Sequence, residues 1–558
     1  MTLATPEWGS DVIAAMLRRL EVPYVALNPG ASYRGLHDSI VNYLGNGGPE
    51  ILLCQHEEVA VDIAHGYAKV TGRAMGAILH ANIGLLHAAM PIFTAFADRS
   101  PVLVMGATGP WDATKRRPWI DWLHTSNGQG GVIRDFVKWE TQPGSVRAWP
   151  EALLRAWQVA NTEPHGPVYV CFDTALQEER IAGPLDLPDP AAYAAPARLA
   201  PDPAAVRDAA RLLVDADRPV ILVGTTQAWA DLIALAEALG APVLNDVRAA
   251  TSFPSSHPLS GGTSDDADAV LLINRTDGGS IPRAPGSTVI NVSLEPYALR
   301  SWSFEFDTLP PATISIAANS ELTIAALLEE VRRELRDRPE RRRLGEDRLA
   351  KARAAVPPGP ASPKADRPIS HARLFATLRE TLGDDRARDV VLAHLPPSYS
   401  RTHWPFERPG AYIGMDGGAA VGSGPGLSVG AALAVRDAEP RLVVSVMGDG
   451  NFAMAPTAVW TAVHHKIPLL FIIQNNQTYR NDEEHQRRVA EARGRPAENA
   501  YVGQRMTEPA VDFAMVARGF GAEGFGRVED PAELSGVLRQ AIDVVDHGGV
   551  ALVDVRMV

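Results

Sequence analysis

The segment from Arg441 to Asn476 has the pattern of a strand, a helix and a second strand. Residues 442–447 are mainly apolar and rich in β-branched side chains, as in a buried strand, and residues 469–473 have the same character. Between them, residues 456–466 place apolar side chains on one helical face. Two such strands are parallel, and the crossover between them is right-handed. The segment therefore predicts an α/β fold built on a parallel sheet.

Asp449 and Asn476 lie just beyond the ends of these two strands, 27 residues apart. Because the carboxyl ends of parallel strands meet at the sheet edge where α/β proteins bind ligands, we expect the two side chains to converge. Carboxylate and amide oxygens suit Mg²⁺, which proteins often share with phosphate groups. The flanking Gly448 and Gly450 let the backbone approach such phosphates closely. The sequence predicts a site for a divalent cation and a phosphate group here.

The composition of the 558-residue chain argues against several classes of function. A net charge of −13 disfavours nucleic acid as a partner, because phosphate binding needs a basic surface. There is no run of about 18 apolar residues, so we expect no membrane partner. The N-terminus lacks the pattern of a secretory signal, which favours a cytoplasmic location. Cys54 and Cys171 lie in apolar runs and are predicted to be buried free thiols.

Two stretches rich in proline, alanine or charge, 183–203 and 336–368, are interpreted as linkers. They give domains at 1–182, 200–335 and 369–558. Strand-like runs alternate with helical patterns in each domain, and the clearest are 24–27, 51–54, 76–79, 102–105, 168–171, 220–223, 243–244, 270–273, 289–292, 389–392 and 551–555. The predicted fold class is α/β, with three consecutive doubly wound domains and mainly parallel sheets. No Gly-x-Gly-x-x-Gly fingerprint is present, which disfavours a nicotinamide oxidoreductase.

Two residues of the first domain are candidates for catalysis. Glu57 opens a predicted helix, where its carboxylate either takes part in catalysis or only favours the helix N-terminus. His80 ends the strand 76–79 on the ligand edge, as a catalytic residue or as a polar cap. His87 lies about two helical turns further on and is predicted to pack.

Two other polar segments have simpler interpretations. His464 and His465 are adjacent on a helix, so their side chains point about 100° apart and cannot ligate one ion together. The segment 480–505 is dense in both charges and predicts a solvated helix with ion pairs. Because it begins directly after Asn476, a role as a lid over a bound ligand is also open.

These features together resemble the thiamine diphosphate-dependent enzymes of the acetolactate synthase, benzoylformate decarboxylase and pyruvate decarboxylase group. The motif 448–450 with 475–476 is similar to that family's signature for Mg²⁺ and the diphosphate. Residues 55–72 are similar to the helix that carries the family's activating glutamate, and Glu57 is the matching position. Three further runs look most like benzoylformate decarboxylase: 28–31, 79–80 and 458–468.

The resemblance implies thiamine diphosphate and Mg²⁺ as cofactors. Asp449 and Asn476 would bind the metal through their side chains, and Thr478 through its carbonyl. Val421 matches the apolar residue under the thiazolium ring, and Ala419 matches a carbonyl that meets the aminopyrimidine. The implied cofactor-binding set is Glu57, Ala419, Val421, Asp449, Gly450, Asn451 and Asn476, and the implied catalytic pair is Glu57 and His80.

Three departures from the family pattern leave the substrate open. Ala31 stands where benzoylformate decarboxylase has a substrate-facing serine, although Ser32 is its neighbour. The stretch 394–399 does not look like the usual polar diphosphate loop, and the charged segment after Asn476 also differs.

The activity that the resemblance implies is that of a thiamine diphosphate-dependent lyase, a decarboxylase or carboligase of 2-oxo acids. It would act through ylide addition and an enamine intermediate. The alternatives are an acetolactate synthase-like carboligase, a 2-hydroxyacyl-CoA lyase and a non-catalytic cofactor-binding protein. The chain ends at Val558, directly after its last strand, which we take to disfavour the CoA enzyme. Because the family brings the equivalents of Glu57 and Asp449 together from different subunits, the resemblance implies at least a homodimer, with a homotetramer as the usual form.

Overall fold

The fold consists of parallel α/β layers that repeat three times along the chain. The computed structural model describes residues 4–246, 248–275, 281–295, 311–355, 367–396 and 404–557. Over these residues the strands form three sheets, and the neighbouring strands within each sheet are parallel. The predicted fold class of three consecutive doubly wound domains is confirmed.

The first sheet has six strands in the order β2-β1-β3-β4-β6-β5. Its inner strands are buried along their whole length, which explains their continuous apolar sequence. The elements are α1 (Gly9–Arg19), β1 (Tyr24–Leu27), α2 (Arg34–Asp38), β2 (Glu50–Leu53), α3 (Glu57–Thr71), β3 (Met75–Leu79), α4 (Ala81–His87), α5 (Ala89–Ala97), β4 (Val102–Thr108), α6 (Ile120–His124), β5 (Trp139–Thr141), α7 (Trp149–Asn161), β6 (Val168–Asp173) and α8 (Thr174–Gln177).

The second sheet has five strands in the order β11-β10-β9-β7-β8. The helices of this domain pack on the sheet through their apolar faces, and the apolar side chains of helices and strands form one core. The elements are α9 (Pro203–Asp215), β7 (Pro219–Val223), α10 (Trp229–Leu239), β8 (Val243–Asn245), β9 (Ala269–Ile273), β10 (Thr288–Val292), β11 (Ile314–Ile316), α11 (Ser320–Asp337) and α12 (Pro339–Ala355).

The third sheet also has five strands, in the order β12-β13-β14-β16-β15. The predicted strand at 389–392 begins later, because Asp389 still belongs to the preceding helix. The elements are α13 (His371–Leu382), α14 (Asp384–Asp389), β12 (Val391–His394), α15 (Ser423–Ala438), β13 (Val443–Gly448), α16 (Asp449–Met454), α17 (Ala458–His464), β14 (Leu469–Asn475), α18 (Arg480–Ala492), α19 (Phe513–Gly519), β15 (Glu523–Val528), α20 (Pro531–Asp546) and β16 (Val550–Arg556).

The predicted strand–helix–strand unit is present in the third domain. β13 and β14 are parallel neighbours, with Gly448 opposite Gln474 at their carboxyl ends. The crossover contains α17 as expected, and also the short helix α16, which the sequence pattern did not predict. Both strand ends therefore reach the same edge of the sheet.

One of the two predicted linkers is wrong over much of its length. Residues 183–203 are largely irregular, with a single 3₁₀ turn at Pro190–Ala192, as expected of a linker. By contrast, the charged run after Arg338 begins α12, which packs on the middle domain: Arg348 donates to the carbonyls of Leu239 and Ala216, both at 3.0 Å. Helix-forming Arg, Glu and Ala outweigh the charge pattern here. The proline run at 357–360 lies outside the described residues.

The first and third domains pack against each other through α3 and α15. A Cβ built on Gly66 would lie 2.0 Å from the carbonyl oxygen of Leu427, and one on Gly430 would lie 2.0 Å from that of Ile63. Neither glycine can therefore carry a side chain while the helices keep this approach. Apolar side chains of both domains form one continuous core around this crossing.

Two smaller predictions are settled by the fold. Cys54 and Cys171 are buried free thiols, as expected. His465 accepts the N–H of Leu53 at 2.8 Å, and His464 stacks on Trp460, so both have packing roles. No helix in the described part of the chain is long and apolar enough to cross a membrane.

Candidate active site

Asp449 lies at the carboxyl end of β13, where it starts α16. The residue is buried, and its Oδ1 accepts the N–H of Gly450 at 2.8 Å while Oδ2 accepts that of Gln477 at 2.6 Å. Gln477 belongs to the loop after β14, so the two strand ends meet as the sequence predicts. Burial raises the pKa of Asp449 to about 6, because the ionised carboxylate loses hydration there.

The two neighbouring asparagines at the end of β14 have different surroundings. Asn475 is buried, and its Nδ2 donates to Asp554 Oδ1 at 2.9 Å. Asn476 lies at the sheet edge, where its Oδ1 accepts the N–H of Thr478 at 3.0 Å. The Thr478 hydroxyl in turn donates to Glu483 Oε2 at 2.9 Å. Asn476 and Thr478 thus lie in the loop that contacts Asp449, while Asn475 supports that loop from inside.

The chemistry of this edge fits a divalent cation and a diphosphate. Asp449 and Asn476 offer carboxylate and amide oxygens, which are hard ligands of the type that Mg²⁺ prefers. A cation would also replace the hydration that the Asp449 carboxylate has lost. A Cβ built on Gly448 would meet no atom within 4 Å, so the backbone there is open to a bound group. The assignment of Asp449, Asn476 and Thr478 as metal ligands stays a prediction.

Asn451 connects this edge to the start of α15. Its Oδ1 accepts the N–H groups of Gly422 at 3.1 Å and Gly424 at 3.3 Å, and its Nδ2 lies 3.4 Å from His394 Nε2. These bonds hold the loop before α15 against α16. The amide oxygen of Asn451 is thus already occupied by two N–H donors of the same chain.

The loop that carries Ala419 and Val421 is fixed on both sides. The Ala420 N–H donates to Asp416 Oδ2 at 2.9 Å, and Lys69 of α3 donates to the Met415 carbonyl at 2.6 Å. Ala419 has a φ of 53°, in the left-handed region that side chains other than glycine seldom adopt. Val421 is 46% exposed, although it is apolar. An exposed valine on a constrained loop is consistent with the predicted contact to the cofactor rings.

Glu57 is the first residue of α3, as predicted, and its carboxylate is buried. Its Oε2 lies 3.0 Å from His87 Nδ1. The prediction that His87 packs is wrong: its side chain is 51% exposed, and its ring bonds Glu57. The error arises because β3 is followed by a sharp turn at Ala81, with φ of 43°, which points α4 back towards the start of α3.

His80 follows β3 and is held by the loop after β1. Its Nδ1 lies 2.9 Å from Ser32 Oγ, which also accepts the N–H of Ala81 at 3.1 Å. The ring edge of His124 lies against His80, with centroids 4.9 Å apart. Burial lowers the pKa of His80, and the neighbouring His124 acts in the same direction. His80 is therefore a neutral imidazole at neutral pH, with one N–H to donate.

The neighbourhood of His80 clarifies one departure from the family pattern. Ser32 is buried and bonded to His80, whereas Ala31 is exposed. Ser32 thus orients His80, whereas the small side chain at the neighbouring exposed position is that of Ala31. Trp119, at the N-cap of α6, and Trp122 within this helix are exposed at 69% and 78%.

The structure does not join the two predicted halves of the site within one chain. Among the described residues, no hydrogen bond or ion pair connects Glu57 or His80 to the loop of Asp449 and Asn476. Glu58, the neighbour of Glu57, instead faces the third domain: a Cβ on Gly422 would lie 3.1 Å from its Oε1. Completion of the site by a second subunit stays a prediction.

The fold and the oxygen-lined edge define an α/β protein with a cofactor-type site at the ends of parallel strands. Comparison with known families agrees, because three models match in order: thiamine pyrophosphate enzyme, N-terminal TPP binding domain (residues 7–128), central domain (206–301) and C-terminal TPP binding domain (397–555). The chain belongs to the thiamine pyrophosphate enzyme family. The two terminal domains are of the kinds that bind thiamine diphosphate.

Similar proteins span nearly the whole chain at low identity. The acetolactate synthase large subunit of Haemophilus influenzae is 24% identical over 96% of this chain and 92% of its own length. Benzoylformate decarboxylase of Pseudomonas aeruginosa is 24% identical over 88% of this chain and 89% of its own. The crystal structure of benzoylformate decarboxylase from Polynucleobacter necessarius superposes with a TM-score of 0.80 at 22% identity, covering 99% of both chains. This last similarity supports the fold.

Proposed function

We propose that this protein is a thiamine diphosphate- and Mg²⁺-dependent decarboxylase and carboligase of 2-oxo acids, similar to benzoylformate decarboxylase. The observation that carries the proposal is the bond between Asp449 and the loop of Asn476, which assembles an oxygen-lined edge at two strand ends. The buried Glu57 and the His80–Ser32 pair supply the groups for proton transfer and substrate orientation. The names of the related proteins support the same class of reaction.

In this proposal the chain binds the cofactor at both terminal domains. Asp449, Asn476 and the Thr478 carbonyl would hold Mg²⁺, and Gly450 and Asn451 would contribute to binding the diphosphate. Bound thiamine diphosphate supplies an electron sink for the electron pair that carbon–carbon bond cleavage leaves behind. Val421 would contact the rings of the bound cofactor, and the Ala419 carbonyl would be available as an acceptor for its pyrimidine amino group.

Glu57 is the proposed proton-handling residue. Its burial excludes water from the carboxyl group, so a proton that Glu57 shares with a bound pyrimidine nitrogen is not lost to solvent. The carboxyl group also sits against the backbone of α4, because a Cβ on Gly84 would lie 3.2 Å from Oε1. This contact restricts the directions in which Glu57 can turn.

His80 is the proposed residue for substrate orientation. As a neutral imidazole fixed by Ser32, it can donate one N–H to the carboxylate of a 2-oxo acid or pass a proton to the carbon that loses CO₂. Ala31, the neighbour of Ser32 in the chain, is small and exposed, so there is space beside it. We propose that this space admits the substrate side chain.

The test is a substrate panel with purified protein, thiamine diphosphate and Mg²⁺. CO₂ release from aromatic and aliphatic 2-oxo acids, benzoylformate and pyruvate among them, should be detected for at least one compound. Glu57→Gln should lower turnover by roughly 10²–10⁴-fold, the usual contribution of a positioned proton-transfer group. Unchanged turnover in Glu57→Gln would contradict the assignment of this residue, and no reaction across the panel would contradict the decarboxylase itself.

A second candidate is an acetolactate synthase-like carboligase. It is favoured by the Haemophilus influenzae relative, which covers more of this chain than the decarboxylase relative does. Incubation with pyruvate alone separates the two candidates, because the carboligase yields acetolactate. Acidification converts acetolactate to acetoin, which a colour reaction then detects. Acetaldehyde as the sole product would exclude this candidate. For either reaction we propose a cytoplasmic protein that is at least a homodimer and assembles as a homotetramer.

A further inference from the structure

Glu57 has one side-chain hydrogen-bond partner among the described residues, and that partner is His87. The Glu57 carboxyl group is only 8% exposed, whereas the His87 ring is 51% exposed. The 3.0 Å bond between Oε2 and Nδ1 therefore links a buried acid to a ring that reaches the surface of the subunit. No role was expected for His87 beyond packing.

α4 supplies both this partner and the room for Glu57. Gly84 and His87 are three residues apart and lie on the same helical face. Gly84 lets the backbone approach, since a Cβ there would be 3.2 Å from Glu57 Oε1. Oε1 is thus bordered by a glycine that offers no side chain, and Oε2 by an imidazole nitrogen.

His56 fixes the orientation of the His87 ring. The two rings stack with centroids 4.8 Å apart and an angle of 19° between their planes. His56 is itself held, because its Nδ1 accepts the N–H of Glu58 at 3.2 Å. The His87 ring can therefore rotate little without losing its stacking partner.

The same three side chains do not form a metal centre, although their ligand atoms lie within 4.8 Å of one another. An imidazole nitrogen binds a metal in the plane of its ring. The planes of His56 and His87 are stacked and nearly parallel, so one ion cannot lie in both. The arrangement instead holds the Glu57 carboxyl group through the hydrogen bond from His87, whose ring stacks on His56.

We infer that His87 is a positioning residue that donates its Nδ1–H to Glu57 Oε2 and so reserves Oε1 for proton exchange with the cofactor. The inference rests on the proposed role of Glu57. The bond is compatible with both states of the acid, because Oε2 accepts it whether Oε1 carries a proton or not. Without His87 the carboxyl group would lose the hydrogen bond that distinguishes its two oxygens, so Oε1 and Oε2 would exchange places within the space that Gly84 leaves.

The test compares His87→Ala with His87→Asn. The asparagine amide places an N–H close to the position of the lost imidazole Nδ1–H, whereas alanine removes the donor. The main readout is the rate at which the thiazolium C2 proton of bound thiamine diphosphate exchanges for deuterium without substrate, measured by NMR after acid quenching. Thiamine diphosphate affinity, measured by fluorescence quenching, is the second readout.

We expect His87→Ala to slow the exchange by about 10–100-fold, the usual loss when a supporting hydrogen bond is removed. His87→Asn should recover most of that loss. In both variants the dissociation constant of thiamine diphosphate should change less than the exchange rate, because in this proposal His87 contacts Glu57 and not the cofactor. His547→Asn is the matched control, because His547 is exposed at the end of α20 and should leave the rate unchanged. Wild-type exchange in His87→Ala, or equal loss in both variants, would overturn the inference.

Glu57→Gln separates this inference from the proposed function. Slow exchange in Glu57→Gln together with wild-type exchange in His87→Ala would reject only the role of His87. Wild-type exchange in Glu57→Gln, or no binding of thiamine diphosphate to the unaltered protein, would instead reject the proposed function. Thermal melting of each variant shows whether it folds, and His87→Leu, which fills more of the volume of the ring and offers no N–H, replaces His87→Ala if that variant does not fold.

Discussion

At the scale of single residues, backbone strain accompanies the candidate site. Three non-glycine residues with positive φ are direct or near neighbours of predicted site residues: Ala81 (43°) beside His80, Ala419 (53°) near Val421, and Gln477 (60°) beside Asn476. Each conformation costs about 1–2 kcal/mol and persists only where surrounding contacts hold it. Hydrogen bonds from the Ala81 and Gln477 N–H groups to Ser32 and Asp449 provide such contacts. The site is thus preorganised before any ligand binds.

The raised pKa of Asp449 gives a prediction about pH and stability. The folded protein binds this proton more tightly than the unfolded chain, whose aspartate pKa is near 3.8. The metal-free protein should therefore lose stability as pH rises from about 4 to above about 6, by about 2–3 kcal/mol at most. Asp449→Asn lacks this loss. Thermal unfolding in EDTA at pH 5 and pH 7.5 should show a larger decrease for the wild type than for Asp449→Asn.

Mg²⁺ provides the control for this prediction. The cation should raise the melting temperature of the wild type at pH 7.5 and have little effect at pH 5, where a proton competes for the carboxylate. It should not stabilise Asp449→Asn at either pH. Equal pH responses of the two proteins would show that the Asp449 proton does not govern stability in this range.

At the scale of elements, the crossing of α3 and α15 predicts a sharp difference between two glycines. Gly430→Ala forces a methyl group to within 2.0 Å of the Ile63 carbonyl, so the helices must separate. We expect destabilisation of about 3 kcal/mol or more, or failure to fold. Gly536→Ala in α20 meets no atom within 4 Å and should stabilise the protein by about 0.5–1 kcal/mol. Chemical unfolding of both variants checks the pair.

The contacts of Glu483, a residue of α18, predict that it supports metal binding. Glu483 accepts from Thr478 at 2.9 Å and pairs with Arg505 at 3.1 Å, so it ties α18 to the loop of Asn476. The hydrogen bond from Arg505 lowers the pKa of Glu483, which keeps this tie charged at neutral pH. Glu483→Ala should raise the Mg²⁺ concentration for half-maximal thiamine diphosphate binding by about tenfold. Glu484→Ala, one residue further along the helix, should not change it.

Much of the architecture could be predicted from the sequence, and the elements that could not be predicted all lack a clear apolar pattern. Central strands are buried on both faces and therefore appear as continuous apolar runs. The strands that the pattern did not predict, β5, β11 and β15, are at or near sheet edges, half exposed, and in the case of β15 rich in glycine. The pattern predicts a linker in place of α12 because the single buried residue of this helix, Gly345, leaves no apolar stripe.

The candidate site could be predicted only where the sheet itself brings residues together, and not where turns and loops do so. Asp449 and Asn476 follow strand ends directly, so the parallel sheet alone brings their loops together. The contact of His87 with Glu57 depends instead on the turn at Ala81 and the close approach at Gly84, which no periodicity records. The bond of Ser32 to His80 likewise joins two loops that are 48 residues apart.

At the scale of the whole molecule, the separation of Glu57 from Asp449 predicts sites shared between subunits. If each active site takes Glu57 from one subunit and Asp449 from another, Glu57→Gln and Asp449→Asn should complement each other. Each variant alone should be nearly inactive, whereas a mixture refolded or co-expressed in equal amounts should recover about a quarter of wild-type activity. Light scattering should report a dimer or tetramer. No recovery in verified mixed oligomers would place the whole site within one chain.

The exposure of Ala31, Trp119 and Trp122 has a consequence for laboratory evolution. Ala31 is the neighbour of Ser32, which bonds His80, and the two tryptophans belong to α6 and its N-cap, where His124 lies against His80. None of the three takes part in the glycine crossing that holds the two cofactor domains together. Replacing exposed side chains usually changes stability by less than about 0.5 kcal/mol. A library at these three positions can therefore search for new substrates while the cofactor-binding framework keeps its shape.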